Sequence, residues 1–145
     1  VSRDSLIFRD EYAVAAADTL ARTIYGEARG ESHLGRVAVA NVIMNRVKRP
    51  GWWGRSIPEV CQKPYQFSCW NKDDPNRQKL LLVQPTDKVF AECLEIAKRA
   101  IAGELADVTG GATHYMVKSI TDKIDWDDGM VQTADIGAHV FFKEG

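Results

Sequence analysis

Apolar residues recur with a helical period along the first two thirds of the chain and in short strand-like runs along the last third. The alanine-rich stretch Ala13 to Ala17 favours helix, and Leu20, Ile24 and Glu27 fall at i, i+4 and i+7 of one stripe. A lead-in from Ser2 to Asp10, with the apolar cluster Leu6, Ile7 and Phe8, precedes it. Asp10 is placed to cap a helix beginning at Glu11, with a break near Asp18, an end near Arg29 and a stop at Gly30. Ser32 then caps a second helix, His33 to about Lys48. That segment is apolar nearly all round apart from Asn41 and Asn45, so it should be the central, most buried helix.

Pro and Gly make Arg49 to Arg55 a loop. Ser56-Ile-Pro-Glu59 matches a capping box, predicting a short helix that Pro64 ends. After the polar turn Lys72 to Asn76, residues Arg77 to Val83 suit one or two helical turns. Thr86 is the expected cap of the best-patterned helix, whose stripe is Phe90, Cys93, Leu94, Ala97, Ala100 and Ile101, with Gly103 as its stop. Beyond Gly110-Gly111, Thr113 to Val117 and Gly137 to Phe142 read as strands, with Met130 to Asp135 a candidate third. Between them lies a polar stretch, Lys118 to Gly129, with Trp126 isolated in it. The expected fold is α+β: one mostly helical domain over residues 1–145, with a small antiparallel sheet in its C-terminal third.

At 145 residues, with 45% hydrophobic and 27% charged residues, the chain can bury a sizeable core. A net charge of -1 without charge blocks disfavours nucleic-acid binding. No apolar run approaches the ~20 residues of a membrane span. No basic segment followed by an apolar one opens the chain, so no signal peptide is expected, and the first residue, Val1, suits a processed or trimmed product. Of three cysteines, Cys93 falls on an apolar helical stripe. Cys61 and Cys69 flank an irregular loop, where they form a local disulfide in an oxidising compartment or remain thiols.

Candidate chemistry begins with Glu27, a carboxylate on an apolar stripe. Either it is paired with Arg22, Arg29 or Arg46 and is structural, or desolvation favours its protonated form and suits it to general acid work. Glu31 lies four residues on, past Gly30. Trp52, Trp53, Tyr65, Phe67, Trp70 and Tyr115 lie mostly in loops among Gln66, Asn71 and Asn76. They either pack over the core or line a groove where sugar C–H faces stack on aromatics and hydroxyls bond to amides. Asn41 and Asn45 share a helix face and either tie neighbouring loops or line a cleft. His33, His114 and His139 lack HxxxH or CxxC spacing, so no metal or other cofactor is expected. His114 and His139 are candidate cross-strand neighbours, and Cys69 is a remote candidate nucleophile. No nucleotide-binding or nucleophile-elbow motif occurs.

Ile24-Tyr-Gly-Glu-Ala-Arg-Gly-Glu31, Val37-Ala-Val-Ala-Asn-Val-Ile-Met-Asn-Arg46 and Gln66-Phe-Ser68 together resemble the SleB/CwlJ family of cell-wall hydrolases. Gly111-Ala-Thr-His-Tyr115 and Ile136-Gly-Ala-His-Val-Phe141 are similar to its closing segments, so the resemblance covers roughly residues 17–142. It implies a peptidoglycan-cleaving domain with a fold related to lysozymes and lytic transglycosylases, in which the glutamate of Tyr25-Gly-Glu27 is the acid. Glu31 matches the motif's second glutamate and is a possible second carboxylate. Substrate-binding candidates are Asn45, Gln66, Phe67, Trp70, Asn71 and Tyr115. The expected partner is the glycan strand of peptidoglycan, met by a monomer in the cell wall or periplasm. No cortex-binding repeat accompanies the domain, so a periplasmic enzyme or a phage endolysin fits as well as a spore lysin. The expected reaction is cleavage between N-acetylmuramic acid and N-acetylglucosamine, as a lytic transglycosylase in which Glu27 acts alone. The alternatives are a lysozyme-type muramidase, a zinc amidase using His114 and His139, and a non-catalytic glycan-binding module.

Overall fold

The computed structural model describes residues 3–121 and 129–145, with side-chain surroundings over 11–120 and 129–145. Trp126 and most of the polar stretch around it lie outside the described residues. The first helix, α1 (Arg3–Ala28), runs unbroken for 26 residues. It therefore takes in the lead-in expected to precede it, and neither a cap at Asp10 nor a break at Asp18 occurs. Asp18 instead accepts from Arg22 Nε one turn on, at 2.9 Å. The same guanidinium donates to the carbonyls of Leu80 (2.6 Å) and Val83 (3.1 Å), closing the C-terminus of a helix far along the chain.

Ser32 caps α2 (His33–Val47) by accepting from Gly35 N. Its Val37 to Ile43 segment is buried throughout, as the all-round apolar pattern predicts. Helix α3 (Ile57–Gln62) starts at Ser56, whose hydroxyl accepts from Glu59 N, while Glu59 Oε2 reaches back to Arg55 N at 2.7 Å. A 3-10 turn (Ser68–Trp70) leads to α4 (Pro75–Leu82), capped by Asp74, with Pro at its first position. Helix α5 (Lys88–Ile101) is capped by Asp87 rather than Thr86, its carboxylate accepting from Phe90 N at 3.0 Å. It ends at Gly103 (φ +75°), where Gly103 N bonds to Ala100 O and Glu104 N to Arg99 O.

Strands β1 (His114–Val117), β2 (Met130–Ile136) and β3 (His139–Glu144) form an antiparallel sheet in the order β1-β3-β2, and a short helix, α6 (Lys118–Thr121), follows β1. The sheet turns one face, carrying Tyr115 and Phe141, toward the helices, and Phe141 packs with Ala38 and Val42 of α2. Met116, Val140 and Phe142 form a separate apolar cluster on the other face. His114 pairs with Phe142 and His139 with Val117, so the two histidines are not cross-strand neighbours. The period-2 alternation puts them on opposite faces. The main core joins Leu20, Ala21 and Ile24 of α1 to Val39 and Ile43 of α2, Val60 of α3, Leu80 of α4, and Phe90 and Cys93 of α5. Cys61, Cys69 and Cys93 are all buried free thiols, so no Cys61–Cys69 disulfide is present.

Candidate active site

Glu27 occupies the last turn of α1, partly buried where the helix end meets β1 and the 3-10 turn. One side chain donates to its carboxylate, and a thiol stands beside it. Tyr115, on the inner face of β1, donates a hydrogen bond from its hydroxyl to Glu27 Oε1 at 2.6 Å. The Cys69 thiol lies close enough to feel the Glu27 charge. Burial first, and then the neighbouring carboxylate, push both Tyr115 and Cys69 well above their ordinary pKa values. Each therefore keeps its proton; Tyr115 serves as the donor, and Cys69 is a neutral neighbour of Glu27 rather than a thiolate nucleophile.

Glycine makes this closeness available. A Cβ on Gly26 would stand 2.7 Å from Cys69 Cβ and 2.8 Å from its Sγ. Gly26 thus lets the 3-10 turn press against α1 beside the acid. The ring of Tyr115 is fixed edge-on to His139 (5.0 Å between centroids) and tilted against Phe141 (5.7 Å).

Arg46, near the end of α2, supplies the positive charge felt by both Glu27 and Tyr115. Only 6% exposed, it donates from Nε to Thr113 O at 2.8 Å, at the start of β1. Its guanidinium lies 5.2 Å from the ring of Trp53 and 5.1 Å from that of Phe67, and its Nη1 has no hydrogen-bond partner. Burial draws its pKa down to about 10, against the opposing pull of Tyr115 and Glu27. Arg22 and Arg29 are engaged elsewhere, the former with Asp18 and α4, the latter over the ring of Tyr25.

Glu31 has a different environment. In the turn after α1, its Oε1 accepts from Ala138 N at 3.0 Å and lies 3.4 Å from His139 Nδ1. Gly35 and Gly137 crowd it: a Cβ on the first would meet Glu31 Cβ at 2.8 Å, and on the second Glu31 Oε1 at 2.7 Å. The side chain therefore clamps the α1–α2 turn to the β2–β3 turn.

The other sequence-named residues separate into two sets. Asn45 donates to Asp107 Oδ2 (3.1 Å) and Ala112 O (2.9 Å), and Asn41 brackets Ala106 and Val108. These amides tie the loop before β1, so Asn45 is placed as a loop anchor rather than a cleft lining. Phe67 is 2% exposed beneath Arg46, which makes it a wall of the core instead of an open stacking face. Trp70 is partly buried and donates from Nε1 to Thr23 Oγ1 at 3.0 Å. With Asn71 and the exposed Tyr65 it lines a groove of about 500 Å³, and Gln66 lies partly exposed on the same loop. Tyr65 holds φ +67°, a strained value for a side chain of that size. His33 and Arg36 both pair with Glu92, and His114 stacks edge-on to Trp53 at 5.7 Å. Among the described residues no group of three His, Cys, Asp or Glu side chains is arranged to hold a metal ion.

Sequence reasoning named Glu27 and Tyr115 but missed Cys69 as a neighbour of Glu27. It also weighed Arg46 only as an ion-pair partner. A glycine placed inside a helical stripe directly before an acid was the available signal for a close neighbour at that point.

The family profile for Cell Wall Hydrolase matches residues 30–142, beginning just after Glu27. The spore cortex-lytic enzyme of Halalkalibacterium halodurans is 32% identical over 124 residues, which is 84% of this chain and 33% of that protein. That of Bacillus cereus is 30% identical over 127 residues, 86% of this chain and 42% of that protein. The chain thus spans well under half the length of these relatives. The catalytic domain of the germination-specific lytic transglycosylase SleB from Bacillus anthracis superposes with a TM-score of 0.67 at 30% identity, covering 88% of this chain and 93% of that one. The catalytic domain of the Bacillus cereus SleB protein gives 0.66 at 27% identity, over 88% and 89%. On sequence and on fold alike, the chain belongs to the cell wall hydrolase family.

Proposed function

We propose that the chain cleaves peptidoglycan glycan strands between N-acetylmuramic acid and N-acetylglucosamine as a lytic transglycosylase, acting as a monomer in the cell wall. Glu27 serves first as acid and then as base. The observation that carries this reading is the contrast between the two glutamates of the motif. Glu27 is held by a hydroxyl, beside a buried thiol, at a partly open helix end, whereas Glu31 is engaged by backbone and histidine.

Protonated Glu27 gives its proton to the glycosidic oxygen as the C1–O bond breaks, and the departing sugar leaves as an alcohol. Positive charge develops on the muramic ring. The ring's own C6 hydroxyl attacks C1 and passes its proton to the Glu27 carboxylate. A 1,6-anhydro ring results, the acid is restored and no water is consumed. Tyr115 fixes the carboxylate through both steps, and neither it nor the neighbouring Cys69 changes charge, since burial keeps each protonated. A retaining or inverting hydrolase would require a second carboxylate across the bond, about 5–5.5 or 6.5–9.5 Å from the first. The likeness to a protein described as a lytic transglycosylase supports the anhydro route.

Mass spectrometry of digested peptidoglycan tests the reading directly. Anhydro-muramic ends are expected. Reducing muramic ends would replace the transglycosylase with a lysozyme-type hydrolase, and released stem peptides would replace both with an amidase. Unchanged cleavage by Glu27→Gln would remove Glu27 from the chemistry.

A further inference from the structure

The loop after α2 carries a feature that the cleavage reaction leaves unused. Gly51 and Gly54 bond to each other across a two-residue turn (Gly54 N to Gly51 O at 3.1 Å), and the residues displayed between them are Trp52 and Trp53. Both glycines have positive φ, +154° and +129°, and a Cβ on Gly54 would stand 2.8 Å from Glu59 Cβ. With Glu59 Oε2 also holding Arg55 N, the turn is fastened to the start of α3. A rigid turn that exposes a large aromatic ring carries little ordering cost on binding.

The two tryptophans have opposite surroundings. Trp53 is partly buried, set between the Arg46 guanidinium and the ring of His114. Trp52 is 67% exposed, edge-on to Trp53 at 6.4 Å, with Lys63 Nζ 4.7 Å from its ring centre. Open grooves flank the pair. One, of about 520 Å³, is lined by Trp52, Trp53, Arg55, Pro58, Lys63 and Pro64. The other, of about 340 Å³, is lined by Arg49, Trp52, Trp53, His114 and Glu144. An exposed indole with hydrogen-bonding groups around it matches the amphipathic surface of a pyranose ring.

The pair also packs against the buried arginine beside the candidate active site. Trp53 touches Arg46, whose charge acts on Glu27 and Tyr115, and Trp53 meets His114, the residue next to Tyr115 in β1. We propose that Trp52 is the platform of a second sugar subsite, stacking a ring of the glycan strand beyond the bond broken at Glu27. This rests on the glycosidase reading of the site and adds to it a grip on long strands.

The test compares Trp52→Ala and Trp52→Phe on long purified glycan strands and on a tetrasaccharide of two disaccharide units. On long strands Trp52→Ala should raise KM about tenfold at unchanged kcat, and Trp52→Phe should recover most of the loss. Turnover of the tetrasaccharide and the thermal midpoint should not move, because the side chain is exposed. No change on long strands, or an equal loss on both substrates, overturns the subsite. Cosedimentation of Glu27→Gln protein with long strands, with and without Trp52→Ala, reads the subsite without turnover. A tenfold binding difference there supports the subsite even if Glu27→Gln still cleaves, an outcome that would sink only the glycosidase reading. No difference overturns the subsite alone.

Discussion

The last turn of α1 and the turn that follows it each present a glutamate, and the two are handled by different physics. Glu27 is reached by a side chain, the phenol of Tyr115, with the Cys69 thiol beside it, both from segments far along the chain. Glu31 is reached by a backbone amide, with two glycines pressed so close that their missing Cβ atoms define its space. A carboxylate packed by backbone is a fastener, because moving it disturbs the chain. One steadied by a side chain at a partly open helix end can change protonation state while the fold stays in place. Proximity in sequence, here four residues, therefore says little about shared function.

The largest expected effect separates the two glutamates isosterically. Glu27→Gln should lower muralytic activity by about 10²–10⁴-fold with the thermal midpoint unchanged. Glu31→Gln, which still offers an oxygen to Ala138 N, should stay within a few-fold of the parent. A loss of Glu27-like size in Glu31→Gln, with stability intact, would break the comparison and make Glu31 a second catalytic carboxylate.

The packing around each glutamate gives the next effects. Gly26→Ala forces a Cβ into Cys69, and Gly137→Ala forces one into Glu31 at a backbone φ of +58°. Each should destabilise by about 1–3 kcal/mol in denaturant titrations. Gly26→Ala should also depress activity beyond its effect on the folded fraction, because it displaces the 3-10 turn beside Glu27. Tyr115→Phe removes the donor to Glu27 and should reduce kcat about tenfold, with little effect on the thermal midpoint.

The smallest effect lies away from both glutamates and serves as a control. Burial pushes the Glu92 carboxyl up, but His33 and Arg36 outweigh it and hold its pKa below the ordinary 4.5. A depressed folded value means that Glu92 adds stability above its unfolded pKa and loses it as the pH falls through the folded one. Glu92→Gln should therefore cost about 1 kcal/mol or less at neutral pH, and the gap to the parent should close in acid. Activity at neutral pH should not follow it.

Much of this was legible in the sequence, for reasons that differ from residue to residue. The stripes of α2 and α5 were plain because each is packed on a well-defined face or buried all round. Glu27 stood out because it interrupted an apolar stripe. The start of α1 was misread because Asp10 has cap chemistry, yet the helix runs through it from Arg3. Thr86 and Asp87 are both good caps, and only the backbone decides that Asp87 takes the role. His114 and His139 could not be placed without the register of β3 against β1, which depends on the β2–β3 turn. Cys69 was invisible as a neighbour of Glu27 because no local pattern links residues from an irregular loop to a helix end.

The two bonds that define the glutamates span 88 residues, from Tyr115 to Glu27, and 107, from Ala138 to Glu31. Contacts of such separation close late, after the loops between them have been ordered. During synthesis the helices can form and pack while Glu27 still lacks its phenol, since β1 and the β2–β3 turn leave the ribosome after them. A chain cut short before β1 carries Glu27 without its Tyr115 donor, so the proposed site is complete only once β1 has been made and docked.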